Sequence, residues 1–599
     1  MPPCFLQGVL QLLMFCIWDV NKLLCIINVI ETERMNRSNH SFGYFYEKER
    51  YFTMAKKPLE ENGIHRAKLW EIGFYALNNT STNTYMLIVS MISYYMVGMV
   101  GVSAVLAGSF ATIMRIWDGV TDPFVGMIVD KTNTRFGKNR PFIVIGNIIL
   151  FVASWLMYHA TPLLPQSSSV RLVAFTIMYM IYIIGYTCQC VVTKSAQTCL
   201  TNDPAQRPVF AMFDTVYNLL LFSFISPVLL QSMWMDEYTW VVPQHQAEVD
   251  AFIAKSPWIA DRIIEANGVQ ILPAPYNPAY FSKIHLTFGI ISAVFMVLAV
   301  IGLSRKDNSK YYGTGKAQKV GVKDYVDCIC HNRAIQMLVV SASTDKLFTS
   351  FKSNSAVLIA IFGITFGNYS LYASFSQISA IPIAVGSILV MNFIACKMGQ
   401  KMSMLVGSWG GIIIAAIMTV FMVMVNPKGD ASVMLLPAFN LLKPSTYGTL
   451  FAAGSWSAVG VIFVLLSIAW AVVTPLAGSI VITMTADCAD YEVYRTGKYV
   501  PGLMGTLFSF VDKLVSSLAS TFVALLFAMV GFADALPTRE TPYSDGIFWV
   551  GVFCYFGAPI IGWLCNVVAM KFYPLTKEKM EEIQGEIARI KAEAAAENA

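Results

Sequence analysis

Charge is what this sequence has least of. Asp, Glu, Lys and Arg make up 13% of its 599 residues, where a soluble domain carries about 25%. So little charge on so long a chain argues against a soluble multidomain enzyme, whose surface could not stay wet. The 56% hydrophobic content rules out a disordered protein. Net charge is +5, too small and too scattered for a nucleic-acid binder. A phosphate-cradling G-x-x-x-x-G-K-[ST] run is missing, which argues against ATP-driven pumping. No nucleophile–base constellation marks an enzyme. The twelve cysteines lie mostly inside apolar runs or beside basic loops, unlike a disulfide framework. Cys188/Cys190 and Cys328/Cys330 are close pairs without a second ligand pair, so they read as buried or cytosolic thiols rather than a metal site. The expected contacts are the lipid bilayer and a small solute, with no enzymatic activity, resident cofactor, nucleic acid or obligate protein partner.

What is present is apolar sequence. A membrane helix needs about 20 mostly apolar residues. Twelve such runs lie near 69–97, 103–130, 141–162, 172–198, 208–231, 284–303, 335–362, 372–395, 402–426, 455–486, 502–531 and 546–572. This predicts an all-α membrane protein with twelve transmembrane helices in two six-helix bundles, 69–303 and 335–572. A polar central loop, 304–334, separates them, and a tail, 573–599, follows. Alternate loops carry sixteen Lys/Arg on one side and seven on the other. The richer side is the cytoplasmic one, which places both termini inside a multi-pass protein expected in the cell or plasma membrane. In the longest outer loop, 232–283, the stretch AEVDAFIAKSPWIADRIIEANG has helical spacing and predicts an interfacial or capping helix. Residues 1–68 precede the first run. Asp19 and Lys22 interrupt the apolar stretch within 1–53, which makes a poor signal peptide. The leader MAKKPLEENGIHRAKLW leaves open whether translation starts at Met1 or Met54.

Charges inside the apolar runs are the candidate functional groups, since each costs about 2.5–3.5 kcal/mol at a bilayer centre. Run 2 carries Arg115, Asp118 and Asp122, run 4 Lys194 and run 5 Asp214. Run 7 carries Asp345, Lys346 and Lys352; run 10 ends in Asp487 and Asp490; run 11 holds Asp512 and Lys513. A spacing of four puts Asp118 and Asp122 on one helix face, with Thr121 close by. Two carboxylates and a hydroxyl suit Na⁺. The same pair can hold a proton instead, because like charges raise one pKa. A structural pairing with Arg115 or a lysine of run 11 is the plainer alternative. Pro123, Gly119 and Gly126 are expected to loosen this helix.

The run RIWDGVTDPFVGMIVDKTNTRFGKNRP, residues 115–141, resembles the signature of the glycoside–pentoside–hexuronide:cation symporters of the major facilitator superfamily. ADCADYEVYRTGK at 486–498, Lys513, and KDYVDCICHNRAI in the central loop are similar to further landmarks of that family. The resemblance implies a twelve-helix major facilitator fold and cation-coupled solute transport by alternating access. It implies cation ligands at Asp118, Thr121, Asp122 and Thr187, with Na⁺ or H⁺ as coupling ion and Lys513 answering their charge. Many members have Asn where Thr121 stands.

The family's sugar-binding residues do not carry over. Its span-1 acid and the lysine before it fall on Thr80 and Asn79, its span-4 acid on Cys190, and the aromatic platform on Lys194. Its span-5 arginine falls on Asp214 and its span-10 tryptophan on Gly478. The expected solute site is therefore Asn79, Thr80, Cys190, Lys194, Asp214 and Lys346. The lysines favour an anionic solute; pairing of Lys194 with Asp214 and Lys346 with Asp345 would instead leave a neutral cavity. Arg115 and Lys513 are expected to couple ion to motion. Arg135, Lys138, Arg140, Asp487, Asp490 and Arg495 are expected to make inner-face contacts between the bundles. The alternatives are symport of an anionic lysolipid and a non-transporting solute sensor.

Overall fold

The computed structural model describes residues 66–586 apart from 133, 202–206, 267, 309–330, 381, 384–398, 441–443, 453, 475–480, 497–500, 577, 581 and 584–585. The side chains of Lys194, Asp490 and Asp512 also lie outside the description, as do the expectations for residues 1–65, Gly478, and Cys328 and Cys330.

Among the described residues six helices are long and apolar enough to cross a membrane. They are α1 (Leu69–Val100), α3 (Arg140–Leu163), α4 (Ser168–Leu200), α6 (Pro278–Leu303), α9 (Gln400–Val425) and the last, α13 (Asp545–Phe572). A seventh joins α7 (Arg333–Lys352) to Ser355–Thr365 across a 48° bend. The remaining expected runs fall on α2 (Ala104–Lys131), α5 (Arg207–Leu219, continuing to Glu237), α8 (370–380), α10 (Ala458–Val473) followed by α11 (Val481–Thr496), and α12 (Pro501–Met529). At 28 residues and 1.5 Å per residue, α2 is long enough to span. Arg115, Asp118 and Asp122 lower its apolarity. It runs unbroken as α-helix through Pro123, so the expected loosening there is not seen as a break.

The first six helices pack mainly on one another, α1 against α6, α4 and α5, and α3 against α4. In the second group α7 packs on α13 and α12, and α9 on α13 and α10. The halves repeat a polar device. Asn147 of α3 donates to Ser81 of α1 and Ser292 of α6, at 3.1 and 2.9 Å. Asn566 of α13 likewise bonds Ser341 of α7 and Ser408 of α9, at 3.0 and 3.5 Å. Such buried amide–hydroxyl bonds fix helices where lipid gives no hydrophobic drive to associate.

The seam between halves is α2 against α12. Gly108 permits it, since a Cβ there would stand 2.7 Å from the Ser520 carbonyl oxygen. Thr112 donates to Ser517 O at 2.9 Å, and Ala104 N to Ala533 O at 3.1 Å.

Over one end of the first half, where α1 ends and α6 begins, sits a cap. Its helix is only Gln246–Lys255; Pro257 opens a 3₁₀ turn, and the rest of the expected helix becomes a strand. Strands β1 (Trp240–Val241), β2 (Ile264–Ala266) and β3 (Val269–Leu272) form an antiparallel sheet ordered β1-β3-β2. Arg171 pins the cap. It is fully buried and donates to the carbonyls of Met99, Leu164, Pro165 and Lys255 and to Ser256 Oγ. Gly101, at φ +79°, faces Trp258 so closely that a Cβ would lie 2.2 Å from the indole.

Candidate ion and solute site

The charges of α2 gather at mid-length. Asp118 is 1% exposed. Its Oδ2 lies 3.1 Å from Arg115 Nη1, one turn back, and 3.2 Å from Lys513 Nζ of α12. Thr187 Oγ1 of α4 donates to Asp118 Oδ1 at 3.3 Å, and Thr121 Oγ1 stands 3.4 Å from Thr187 Oγ1. Lys513 Nζ also donates to Asp122 Oδ2 at 2.7 Å. One ammonium from the second half therefore bridges both carboxylates of the first. Two negative and two positive groups leave the cluster neutral. Trp117, beside it, donates its indole N–H to Met180 O at 3.2 Å and anchors α2 to α4.

The polar face of α1 meets α5. Asn79 Nδ2 donates to Asp214 Oδ1 at 2.7 Å, and Asn218 Nδ2 to Asp214 Oδ2 at 3.1 Å. Asn83 Nδ2 closes the chain on Asn218 Oδ1 at 2.7 Å. Two amide donors hold Asp214; the alternative of a Lys194–Asp214 bridge rests on a side chain outside the described residues. Thr80 is buried and its hydroxyl has no partner. Asn78 donates to Thr193 Oγ1 at 2.6 Å, leaving its own Oδ1 buried and unbonded. Cys190, one turn beyond Thr187, is half-buried, and Lys346 is exposed. Lys352 faces the rings of Trp470 and Tyr555.

The described residues expected at the inner face have partners close in the fold. Arg140 Nε lies 3.5 Å from Asp307 Oδ2, within the first half. The same Asp307 carboxylate accepts the backbone N–H groups of Lys138, Asn139 and Arg140 and so caps α3. Gly137, at φ +97°, is required there, because a Cβ would collide with that carboxylate at 2.1 Å. Arg135 is exposed and lies over Phe136. Arg495 pairs with Glu492 at 2.8 Å, within the second half. Asp487 is half-buried. Of these arginines, Arg140 shares the carboxylate that caps α3.

A second tie between the halves lies at the end that carries the cap, and the sequence reading missed it. Arg539, in the loop after α12, bonds Asp236, Glu540 Oε1 at 2.6 Å, and Met235 O and Thr239 Oγ1 at 3.2 Å each. Tyr94 and Tyr276 donate to Pro537 O and Leu536 O, each at 2.8 Å. These bonds tie the two halves together at the capped end.

Helices of membrane length with a shared charge cluster at the seam of two halves define a membrane carrier rather than an enzyme. The sequence matches the family described as MFS/sugar transport protein over residues 75–577. The chain belongs to that family, within the major facilitator superfamily. It is 23% identical over 498 residues to the glucuronide carrier protein homolog of Escherichia coli, covering 83% of this chain and 90% of that one. Over 107 residues it is 30% identical to the inner membrane symporter YicJ of Escherichia coli, 18% of this chain and 23% of that one. It is 25% identical over 170 residues to the isoprimeverose transporter of Lactiplantibacillus pentosus, 28% of this chain and 35% of that one.

Proposed function

We propose that this sugar-type transporter is a cation-coupled symporter of a glycoside-like solute, driven by Na⁺ or H⁺. The observation that carries the reading is Lys513 bridging Asp118 and Asp122 from the opposite half. A monovalent cation seated on those carboxylates with Thr121 and Thr187 takes over the role of the ammonium. That frees Lys513, and with it one tie between the halves, so ion binding changes the balance between inward- and outward-open forms. The printed names of the relatives, a symporter and two carriers of sugar-like solutes, support the same class.

The solute is held on the α1–α5 face. Each Asp214 oxygen takes one amide proton and keeps a lone pair for a sugar hydroxyl, with Asn79, Asn83 and Thr80 beside it. Cys190, on α4, is half-buried one turn beyond Thr187. The tie by Arg539 at the capped end and the α2–α12 seam fit one end state of a rocking cycle. A lysolipid solute needs a wide gap between α5 and α8. Ser376 of α8 instead bonds Ser223 O at 3.1 Å.

The test is uptake of a panel of neutral and acidic glycosides into proteoliposomes, with and without inward Na⁺ or H⁺ gradients. Gradient-dependent accumulation of at least one glycoside is expected. Facilitated equilibration that ignores every cation gradient would remove the symport reading.

A further inference from the structure

Asp214 has an unpaired counterpart of opposite sign in the other half. Lys352 ends α7 beside the bend before Ser355. Its ammonium stands 3.8 Å from the centroid of the Trp470 ring and 5.2 Å from that of Tyr555. Among the described residues no carboxylate lies within ion-pair distance of it, and no oxygen accepts its protons. The Trp470 indole N–H is buried and also without an acceptor. So is that of Trp563, whose ring stands 5.9 Å from Trp470, edge to face.

Aromatic faces attract a cation, but they accept few of its hydrogen bonds. The cluster therefore offers one positive charge and buried N–H donors with nothing to receive them. An ionisable residue in that condition within a membrane segment marks a site for an absent partner.

We propose that Lys352 and the Trp470 indole N–H form an anion subsite that takes the carboxylate of an acidic glycoside. The assignment rests on the carrier reading above and narrows its solute class. The charge of +1 matches a carboxylate. A phosphate dianion calls for more positive charge or a guanidinium fork. Hydroxyls of the same solute are left for the α1–α5 face, so the two halves grip chemically different ends.

The experiment compares p-nitrophenyl β-D-glucuronide with p-nitrophenyl β-D-glucoside, which differ only at C6, as competitors and substrates in proteoliposomes. Wild type is expected to favour the glucuronide. Lys352→Gln should weaken glucuronide affinity about 10- to 100-fold, the size of a lost hydrogen bond to charge, and leave the glucoside unchanged. Trp470→Phe keeps the ring and loses the N–H, and should shift selectivity the same way by less. Equal losses for both glycosides, or no loss, would overturn the subsite. So would a wild type that moves only the glucoside, which leaves the carrier reading intact. A wild type that moves neither under any cation gradient counts against the carrier reading itself. If Lys352→Gln fails to fold, wild-type selectivity and Trp470→Phe decide.

Discussion

Asp122→Asn is the substitution whose consequence follows most directly from the charge balance at the seam. Asp118 and Asp122 are offset by Arg115 and Lys513. Removing one carboxylate leaves the cluster at +1, and an entering cation then meets an uncompensated ammonium. Two unit charges 4 Å apart interact by about 4 kcal/mol at an effective dielectric of 20. The Asp122 side chain is 36% exposed, so water screens part of this and about 2–4 kcal/mol remains. Cation affinity should fall about 30- to 700-fold, at 1.4 kcal/mol per tenfold. The fold should hold, because buried Asp118 keeps Arg115, Lys513 and Thr187. In wild type, one ion moving through 100 mV releases about 2.3 kcal/mol and supports roughly 50-fold accumulation of a neutral solute. The assay is glycoside uptake into proteoliposomes at millimolar cation under an imposed potential, with solute counterflow in parallel. Accumulation should drop toward unity while counterflow persists. Wild-type accumulation in Asp122→Asn would refute the assignment of Asp122 to the ion.

Lys513→Gln should leave the cluster at −1, with Arg115 as the remaining cation beside buried Asp118, and destabilise the cation-free protein by about 1–2 kcal/mol; added cation should restore the melting temperature by more than in wild type. Arg539→Ala should loosen the tie at the capped end. Spin labels at Gln270→Cys and Asp534→Cys, in a cysteine-free background, should then gain a longer-distance population; an unchanged distribution contradicts the latch. Asp214→Asn should weaken binding of a transported glycoside by about tenfold or more. Thermal stabilisation by the cation should be unaltered, and parallel loss of both would place Asp214 in the ion site instead.

The α2 charge cluster proposed as the ion site was legible because its residues stand close in sequence and out of place. Asp118, Thr121 and Asp122 are charged or polar at helical spacing inside an apolar run. What closes that site was less so. Pairing with Arg115 or a lysine of run 11 entered as the plainer alternative, and the resemblance pointed to Lys513. The Asp214 ladder could have been found from a shared spacing, since Asn79/Asn83 and Asp214/Asn218 are both pairs four apart. Nothing local announces that Gly137 makes room for Asp307, or that Arg539 meets Asp236, because these partners are distant in sequence. Arg140 shows a further local use of a loop charge that the pattern did not announce. Charge at an inner loop suggested contacts between bundles, but the unsatisfied N–H groups at the start of α3 drew in Asp307, and Arg140 followed it. In the outer loop, apolar spacing predicted one long helix, and Pro257 divided it.

The central claim is that ion and solute sites are coupled through the seam. The most direct test is solute affinity in purified protein at zero and saturating cation, paired with cation affinity at zero and saturating solute. Linkage requires the two factors to be equal. The account predicts a shared factor of roughly 5- to 150-fold in wild type, collapsing to one in Asp118→Asn. Solute affinity that ignores the cation in wild type, or coupling that survives in Asp118→Asn, would contradict it.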